Sequence, residues 1–346
     1  MKNWIITVFC LLPFISIAQP PAGYYDAAEG LSGNALKNAL FNIISNGFTS
    51  ISYSNLWTAY ATTDKKPNGK VWDMYSDIPG GTPPYEYSFV TNQCGNYQNE
   101  GDCYNREHSV PKSWFGDASP MYSDLFHVVP TDGKVNGQRS NYPYGQVGTA
   151  TWTSQNGSKL GPSGFPGYNG VVFEPIDSFK GDFARIYFYM CVRYKDKISS
   201  WTGESFNNGD LSTWTENLFL QWHILDPVSS KEIERNNNVY SLQHNRNPFI
   251  DNPDWVFYIW GPTADLNENL QQYINVYPNP ANENINISYA MLERPEQIIL
   301  YDIRGRTHAM EASHDKIDVS AIPSGYYFLK FVFKNSIAEK QIVIIH

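Results

Sequence analysis

The chain has 346 residues, of which 42% are hydrophobic and 15% aromatic, and its formal net charge is −9. This length and apolar content exclude an intrinsically disordered chain and allow one large domain followed by a smaller one. The negative charge excludes an overall basic surface. Binding to a nucleic acid would therefore depend on a local positive patch and would be strongly dependent on salt.

The amino terminus has the pattern of a cleavable secretory signal. Lys2 precedes the apolar run "WIITVFCLLPFISIA", and small residues follow up to Ala18. This pattern predicts a signal peptide over residues 1–18. No later stretch is long and apolar enough to span a bilayer, so we expect an exported chain without a stable membrane span.

Export determines how the cysteines are interpreted. Cys94 and Cys103 flank the polar segment "GNYQNEGD". In an oxidising compartment this spacing predicts a disulfide, which stabilises the fold by about 2.7 kcal/mol on the chain-entropy estimate. Cys191 lies in the apolar run "IYFYMCVRY" and is predicted to be a buried free thiol.

The first predicted helix follows Ser32, an N-cap residue, and ends near Gly47. A second is predicted from Ser54, and two more in "DSFKGDFARIYFYMCVRYKDKI" and "LSTWTENLFLQWHILD". Between residues 63 and 170 the chain is rich in Gly, Pro, Asn, Tyr and Trp, which predicts short strands and long ordered loops. Residues 19–262 are therefore expected to form an α+β domain.

Residues 263–274 have the composition of a polar linker, and residues 275–346 contain short β-patterned runs separated by turns. Six or seven strands in this span predict a small all-β sandwich. Its segments "VYPNP", "YDIRG" and "IDVSAIPSGYYFLKF" resemble the C-terminal sorting domains of the type IX secretion system. The resemblance implies the type IX secretion machinery as a partner and removal of the domain at the cell surface. An immunoglobulin-like accessory or sugar-binding module is the alternative.

The residues that suggest catalysis lie in two segments. In "NREHSVPKSWFG", Glu107 precedes His108, and in "SDLFHVVPTDGKVNGQRSNYPYG" a helix beginning near Asp132 would place Asn136 and Arg139 on one face. Phosphodiester hydrolysis requires a base that activates water, a divalent ion and a cation on a non-bridging oxygen. An imidazole, carboxylate and amide oxygens for a hard metal, and an arginine fit those needs.

Four blocks in order resemble the bacterial endonuclease I family over about 230 residues. They are "REHSVPKSWFG", "SDLFHVVPTDGKVNGQRSNYPYG", "VFEPIDSFKGDFARIYFYM" and "ERNNNVYSLQHNRNPFIDNP". The resemblance implies a ββα-metal (His-Me finger) active site with long loops. His108 would be the general base, and Glu107 and Asn136 would hold Mg²⁺, with Mn²⁺ or Ca²⁺ as alternatives. Arg139 would either contact the scissile phosphate or pin the loop.

Other polar residues have two interpretations each. In the block "DLFHVVP" the family usually has histidine where Phe126 stands, and histidine or asparagine at the position of His127. Because of this departure, His127 is expected either to contribute to the site or to cap the loop. Supporting hydrogen bonds behind the catalytic loop are expected from Asn141, Gln243 and Asn245, with direct substrate contact as the alternative for Gln243 and Asn245. Phosphate contacts are predicted for Lys180, Arg185 and Arg193, with burial of the helix and an Arg185 to Glu174 ion pair as the alternative.

Together these features predict a secreted, metal-dependent endonuclease that acts on DNA, with RNA as a second candidate substrate, and has little sequence specificity. The alternative, from another class, is a surface-displayed binding or adhesion protein on a nuclease-like scaffold without catalysis. We expect a monomer that passes through the periplasm and is then secreted or held at the cell surface.

Overall fold

The structure is a computed structural model that describes residues 20–261, 274–289, 294–308, 312–313, 315–332 and 337–346. The predicted signal peptide lies outside the described residues, as does the predicted linker except for its last residue. Residues 20–261 contain helices and short strands around one hydrophobic core, and the described residues from 274 onward contain strands around a second core. The predicted α+β content followed by an all-β region is confirmed.

Within the described residues, eight α-helices occur, all before residue 261. They are α1 (Gly33–Ser45), α2 (Leu56–Thr63), α3 (Gly133–Arg139), α4 (Lys180–Arg193), α5 (Thr213–Leu225), α6 (Ser230–Gln243), α7 (Pro248–Asp251) and α8 (Trp255–Trp260). The helices predicted from Ser32, from Ser54 and in the two apolar segments correspond to α1, α2, α4 and α5.

Helix α6 was not predicted. Its start has a capping box, in which the Ser229 side chain accepts from the Glu232 backbone N–H and the Glu232 carboxylate accepts from the Ser229 backbone N–H. The helix interior carries three consecutive asparagines, and its buried positions include the polar Arg235 and Asn236. An apolar stripe, the main sequence signal for a helix, is therefore missing.

Helix α4 is the centre of the larger domain. Every residue of α4 after Lys180 is buried, and the helix packs against α1, α5 and α7. A helix that is apolar on most of its faces is expected where neighbours surround it. On α1, buried Leu36, Leu40 and Ile44 recur every four residues and form the stripe that packs against the core.

The larger domain has seven short strands in three separate sheets. An antiparallel pair is formed by β1 (Tyr104–His108) and β2 (Val128–Asp132). The second sheet has the order β3 (Trp152–Thr153), β4 (Lys159–Pro162), β5 (Val171–Glu174), and the third pairs β6 (Phe206–Asn207) with β7 (Asp210–Leu211). Long loops join these strands, as the composition predicts.

The carboxyl-terminal region has two four-stranded antiparallel sheets that share one core. One has the order β11, β10, β14, β15 and the other β12, β13, β9, β8. Their bounds are β8 (Ile274–Tyr277), β9 (Asn284–Tyr289), β10 (Gln297–Asp302), β11 (Thr307–His308), β12 (Ala312–Ser313), β13 (Lys316–Asp318), β14 (Gly325–Val332) and β15 (Ile337–Ile344). This is a β-sandwich with eight strands in its described part, more than predicted because β11 and β12 have only two residues each.

Alternation along β14 shows why these sequences form a sandwich. Tyr327, Leu329 and Phe331 are buried, while the residues between them face outward at least in part. A strand that buries every second residue covers one face of a sheet with apolar side chains. The facing sheet contributes Ile285 and Ile317 to the same core.

Candidate active site

The candidate site is built on a strand, a second strand and a helix. β1 pairs with β2 in antiparallel register, with Glu107 opposite Val129 and His108 opposite Val128. Asp132 ends β2 and caps α3, because its carboxylate accepts from the backbone N–H of Val135 at 2.7 Å. The helix predicted near Asp132 therefore forms, and the start of β1 lies beside the start of α3, where the Gly133 backbone N–H donates to the Cys103 carbonyl oxygen.

His108 lies in a largely buried aromatic setting with 6% of its surface exposed. Its ring stacks on Tyr53 with centroids 5.7 Å apart, and Tyr122 lies 5.3 Å away. Nε2 lies 3.0 Å from the carbonyl oxygen of Tyr122. Burial, together with the nearby His127 ring, lowers the pKa of His108 to about 3, so the imidazole is neutral at physiological pH.

Because a carbonyl only accepts hydrogen bonds, the proton of the neutral His108 ring belongs on Nε2. Nδ1 then carries the lone pair. The Tyr122 carbonyl thus fixes both the tautomer and the orientation of the ring. A neutral imidazole held in this way can accept a proton at Nδ1.

Glu107 and Arg139 form a buried ion pair. Arg139 Nη1 donates to Glu107 Oε1 at 2.5 Å, and the Tyr75 hydroxyl donates to the same oxygen at 3.0 Å. Burial raises the pKa of Glu107, and the positive charge of Arg139 opposes that rise. Oε2 takes no part in either of these two bonds.

Arg139 also holds the chain on both sides of the site. It donates to the carbonyl oxygens of His108, Ser109 and Tyr142 at 2.8, 2.6 and 3.0 Å. The side chain is fully buried and its guanidinium lies 4.4 Å from the ring centroid of Tyr144. Of the two roles predicted for Arg139, the geometry supports pinning the loop and argues against direct contact with a phosphate.

Asn136 is on α3, one turn before Arg139, and is half-buried. Its carboxamide makes no hydrogen bond to any residue in the described part of the chain. Tyr97 packs on the same helix so closely that a Cβ at Gly133 or Gly137 would lie 2.6 or 2.2 Å from it. Both positions therefore require glycine or a shift of the Tyr97 ring.

Tyr97 belongs to the loop that the predicted disulfide closes. Cys94 and Cys103 are bonded, with their Cα atoms 5.6 Å apart, and Cys191 is a buried free thiol as predicted. After Cys103 the chain enters β1 directly. The disulfide loop consequently supports both β1 and α3, the two elements that carry the candidate site.

Gln243 and Asn245 lie behind the loop that leads into β2. Gln243 accepts from the backbone N–H of Leu125 at 2.7 Å and donates to Asp124 at 3.0 Å. Asn245 donates to the hydroxyl of Tyr189 at 2.8 Å, and that hydroxyl donates to Asp124 at 2.8 Å. This buried network fixes the loop from the side away from His108, where the sequence predicted supporting residues.

His127 is fully buried in the same loop. Its Nε2 donates to the carbonyl of Met121 at 2.6 Å, and its Nδ1 has no partner among the described residues. Burial lowers the pKa of His127 to about 4. Its ring centroid is 5.6 Å from that of His108. Between the two roles left open by the sequence, these contacts favour capping of the loop.

The predicted phosphate-contact residues are engaged with the protein. Arg185 is fully buried and pairs with Glu232, at 2.5 Å, and not with Glu174 as the alternative expected. Lys180 is the residue that pairs with Glu174, at 2.6 Å. Arg193 is buried with its guanidinium over aromatic rings. Burial and pairing argue against the predicted phosphate contacts, because these charges are withdrawn from solvent.

Asn141 is exposed just after α3 and lines an open pocket of about 400 Å³. Ser113 and Trp114, which follow His108 along the chain, line the same pocket. None of the predicted catalytic or metal-binding residues lines this pocket. Glu204 also lines the pocket, whereas no Lys or Arg does.

Sequence reasoning missed the aromatic residues that surround His108. Tyr53 lies in the connection between α1 and α2, and Tyr122 in a 3₁₀ helix after the loop. Nothing in the local pattern of "SISYSNLW" or "SPMYSDL" marks these tyrosines as neighbours of the histidine. Tyr75, which hydrogen-bonds Glu107, was missed for the same reason.

No group of three or more His, Cys, Asp or Glu side chains in the described residues is arranged to bind a metal ion. The side-chain oxygens of Glu107 and Asn136 would supply only two ligands to a metal ion, fewer than such a group of three. Both are hard ligands, and Mg²⁺ keeps several of its waters, so one carboxylate and one amide oxygen are compatible with such an ion.

Comparisons with known proteins identify the family of each region of the chain. The chain matches the Endonuclease I family model over residues 32–254 and the Secretion system C-terminal sorting domain over residues 275–345. It is 38% identical over 254 residues to an extracellular ribonuclease of Bacillus amyloliquefaciens, which is 68% of this chain and 78% of the relative.

An extracellular ribonuclease of Bacillus subtilis (strain 168) is 35% identical over 266 residues, covering 71% of this chain and 83% of the relative. Endonuclease-1 of Buchnera aphidicola subsp. Baizongia pistaciae is 32% identical over 128 residues, covering 37% of this chain and 46% of the relative. The chain therefore belongs to the endonuclease I family and ends in a secretion sorting domain.

Membership of this family makes the protein a nuclease, and the sorting domain makes it a secreted or cell-surface protein. None of the helices in the described ranges is both long and apolar enough to cross a bilayer.

Proposed function

We propose that this nuclease is an endonuclease that hydrolyses phosphodiester bonds in DNA and RNA with little sequence specificity, with His108 as general base. The observation that carries the proposal is the neutral His108 ring, whose Nε2 is tied to the Tyr122 carbonyl and whose Nδ1 is left as the base. A proton taken from water at Nδ1 would generate the nucleophile that attacks phosphorus. The negative substrate beside the ring favours the imidazolium that forms.

Glu107 and Asn136 are the residues that would hold a divalent cation. In support, the Asn136 carboxamide has no hydrogen bond to a described residue, and Glu107 Oε2 is free of the Arg139 and Tyr75 bonds. When bound, an ion such as Mg²⁺ neutralises charge that develops on the phosphate and on the leaving oxygen. Mn²⁺ and Ca²⁺ have the same preference for oxygen and remain alternatives.

The ribonuclease names of the two Bacillus relatives support RNA as a substrate. The resemblance of the four sequence blocks to the endonuclease I family supports DNA as a substrate. The sorting domain implies the type IX secretion machinery as a partner. We propose residues 19–262 as the catalytic unit, which acts as a monomer, and residues 275–346 as the part that directs export.

The first test is nicking of supercoiled plasmid and degradation of RNA, each with and without EDTA. His108→Ala is expected to lower turnover by about 10² to 10⁴, the range for loss of a positioned base, while metal binding is retained. His308→Ala, the same change in the carboxyl-terminal sandwich, serves as the matched control and should cleave like the wild type.

A ligand and a base respond differently to added metal. Asn136→Ala and Glu107→Gln are expected to weaken metal affinity, so part of their lost activity should return at high Mg²⁺ or with Mn²⁺. His108→Ala should show no such recovery. A folded His108→Ala protein that nicks at the wild-type rate would refute the general base. A wild-type protein that cleaves neither substrate would favour the alternative of a binding protein on this scaffold.

A further inference from the structure

The strand that carries His108 also carries an arginine on the same side. Side chains two residues apart in a strand point the same way, so Arg106 and His108 share one face of β1, and Glu107 points to the other. Two residues of strand separate the Cα atoms of Arg106 and His108 by roughly 6.6 Å. Arg106 is half-buried, unlike the fully buried Arg139.

Aromatic rings hold the Arg106 guanidinium in place. Its Cζ lies 3.7 Å from the ring centroid of Tyr53 and 4.5 Å from that of Trp57. Nη1 donates to the carbonyl oxygen of Tyr53 at 2.8 Å. Tyr53 in turn stacks on His108, so a single ring bridges the cation and the proposed base. A cation stacked on rings loses little further freedom when it binds an anion.

The Arg106 guanidinium has donors to spare. With Nη1 bonded to Tyr53, Nε is buried without a partner among the described residues, and Nη2 makes no hydrogen bond to them. Nε and Nη2 form one edge of the planar group, the fork that fits two oxygens of a phosphate. A phosphate at this edge would satisfy the Nε–H, which otherwise is a buried donor without a partner among the described residues.

The surroundings of this edge favour an anion. Lys112, which is exposed and paired with Asp117, lies with its Nζ 5.7 Å from the ring centroid of Tyr122, the neighbour of Tyr53 and His108. By contrast, the 400 Å³ pocket on the Asn141 side has a glutamate and no Lys or Arg in its lining. Asp117 neutralises Lys112, whereas Arg106 forms no ion pair with a described carboxylate, so its positive charge remains available on this side of His108.

From these observations we propose that Arg106, clamped by Tyr53 and Trp57, binds a backbone phosphate of the nucleic-acid strand next to the phosphate that reacts at His108. The inference rests on the proposed nuclease function and assigns the phosphate contact to a residue that the sequence blocks did not single out. Arg106 acts by positioning the strand. Its contact exists before and during the reaction, so it should act mainly on KM.

The test compares Arg106→Gln, Arg106→Lys and Arg304→Gln, all in the full chain. Arg304 is exposed in the carboxyl-terminal sandwich, so its variant is a control for loss of one charge. Fluorescence anisotropy with a fluorescein-labelled oligothymidylate in EDTA gives Kd over a series of NaCl concentrations. Cleavage assays give KM and kcat, and melting temperatures show whether each variant is folded.

Arg106→Gln is expected to raise Kd and KM by about 10- to 100-fold, as for loss of a charged hydrogen bond, with a smaller change in kcat. The slope of log K against log salt should become shallower by about 0.7, one phosphate contact on a single strand. Arg106→Lys keeps the charge and should keep the slope, while its loss of the planar fork gives an intermediate Kd. Arg304→Gln should match the wild type.

Equal Kd and salt slope for Arg106→Gln and Arg304→Gln would overturn the inference, and so would a wild-type protein without salt-dependent binding. If Arg106→Gln fails to fold, Arg106→Lys decides, because a wild-type Kd and KM in that variant would contradict a bidentate contact. Failure of the proposed function is a separate result: cleavage is then absent in the wild type, while the anisotropy series still tests Arg106.

Discussion

Replacing Arg139 with alanine is expected to destabilise the larger domain severely. Arg139 is fully buried, its ion pair with Glu107 joins α3 to β1, and its other donors hold the carbonyl oxygens of His108, Ser109 and Tyr142. The truncation leaves Glu107 as a buried carboxylate without its cation. It also removes the bonds that fix the chain on either side of His108.

Removing one partner of a buried ion pair typically costs about 3–5 kcal/mol, because the other charge stays buried and unpaired. That loss is a large part of the roughly 5–15 kcal/mol by which a domain is stable. The double variant Glu107→Gln with Arg139→Met removes both charges. It should lose less stability than the sum of the single changes, since neither charge is left alone.

Urea unfolding followed by tryptophan fluorescence measures this effect selectively. All ten tryptophans precede residue 262, so the signal reports the larger domain and not the sandwich. Arg139→Lys keeps the charge but not the planar guanidinium, so its unfolding free energy should lie between those of Arg139→Ala and the wild type. If Arg139→Ala lost cleavage while its unfolding free energy stayed within about 0.5 kcal/mol of the wild type, the ordinary range for surface changes, the pinning role would be wrong and a substrate contact favoured.

Two further predictions concern the support of the fold. Reduction of the disulfide between Cys94 and Cys103 should lower both the melting temperature and the cleavage rate, with about 2.7 kcal/mol lost from the unfolding free energy. Thiol labelling before and after reduction checks that the disulfide is present. A cleavage rate that is unchanged after full reduction would contradict the link between the disulfide loop and α3. His223, buried with Nδ1 3.2 Å from Arg185 Nη1, has its pKa lowered to about 3 by burial and then by that cation, below the usual 6.5. Because the unfolded chain binds the proton first, the stability that His223 contributes is full above about pH 6.5 and falls as pH decreases toward 3, by roughly 2–3 kcal/mol between pH 7 and 4.5. In urea unfolding, His223→Asn should therefore lose less stability over that range than the wild type, and the remaining loss comes in part from His108 and His127, whose pKa values are also lowered. Equal pH slopes for the two proteins would refute the assignment.

Much of the fold could be predicted because local signals agree with tertiary structure. α1 has an N-cap at Ser32 and an apolar stripe, and the strands of the sandwich alternate as sheets require. α6 could not be recognised by periodicity, because its buried face includes Arg235, which pairs with Asp64 171 residues away in sequence, and Asn236, which bonds to Asn247 beyond the end of the helix. The S-x-x-E capping signature at Ser229 was the available signal.

The site was predictable in outline and not in orientation. The spacing of Asn136 and Arg139 places them on one face of a helix, but spacing cannot say whether that face meets solvent or β1. Likewise, which carboxylate pairs with Arg185 depends on how α4 meets α6, and Glu232 is 47 residues away in sequence. Long-range contacts of this kind decide whether an arginine is free for substrate or used to hold the chain.

Burial also affects the net negative charge of the protein, which argued against an enzyme that acts on nucleic acid. The formal value of −9 counts every carboxyl as ionised. Burial raises the pKa of Asp73 to about 8 and that of Glu216 to about 7, and it holds the pKa of Asp182 well above its usual value. Asp73 is therefore largely protonated and Glu216 partly protonated at pH 7, so the formal count overstates the negative charge.

The protein is still acidic after this correction to its charge, so it repels a nucleic acid at long range. Binding of the strand therefore depends on cations within about a Debye length of His108, roughly 8 Å at physiological salt. The burial of Arg139, Arg185 and Arg193 removes three arginines from that role. Lys112 is paired with Asp117, so Arg106 is left near His108 without a described carboxylate partner. Both the affinity and its salt dependence should therefore be set largely by this clamped guanidinium.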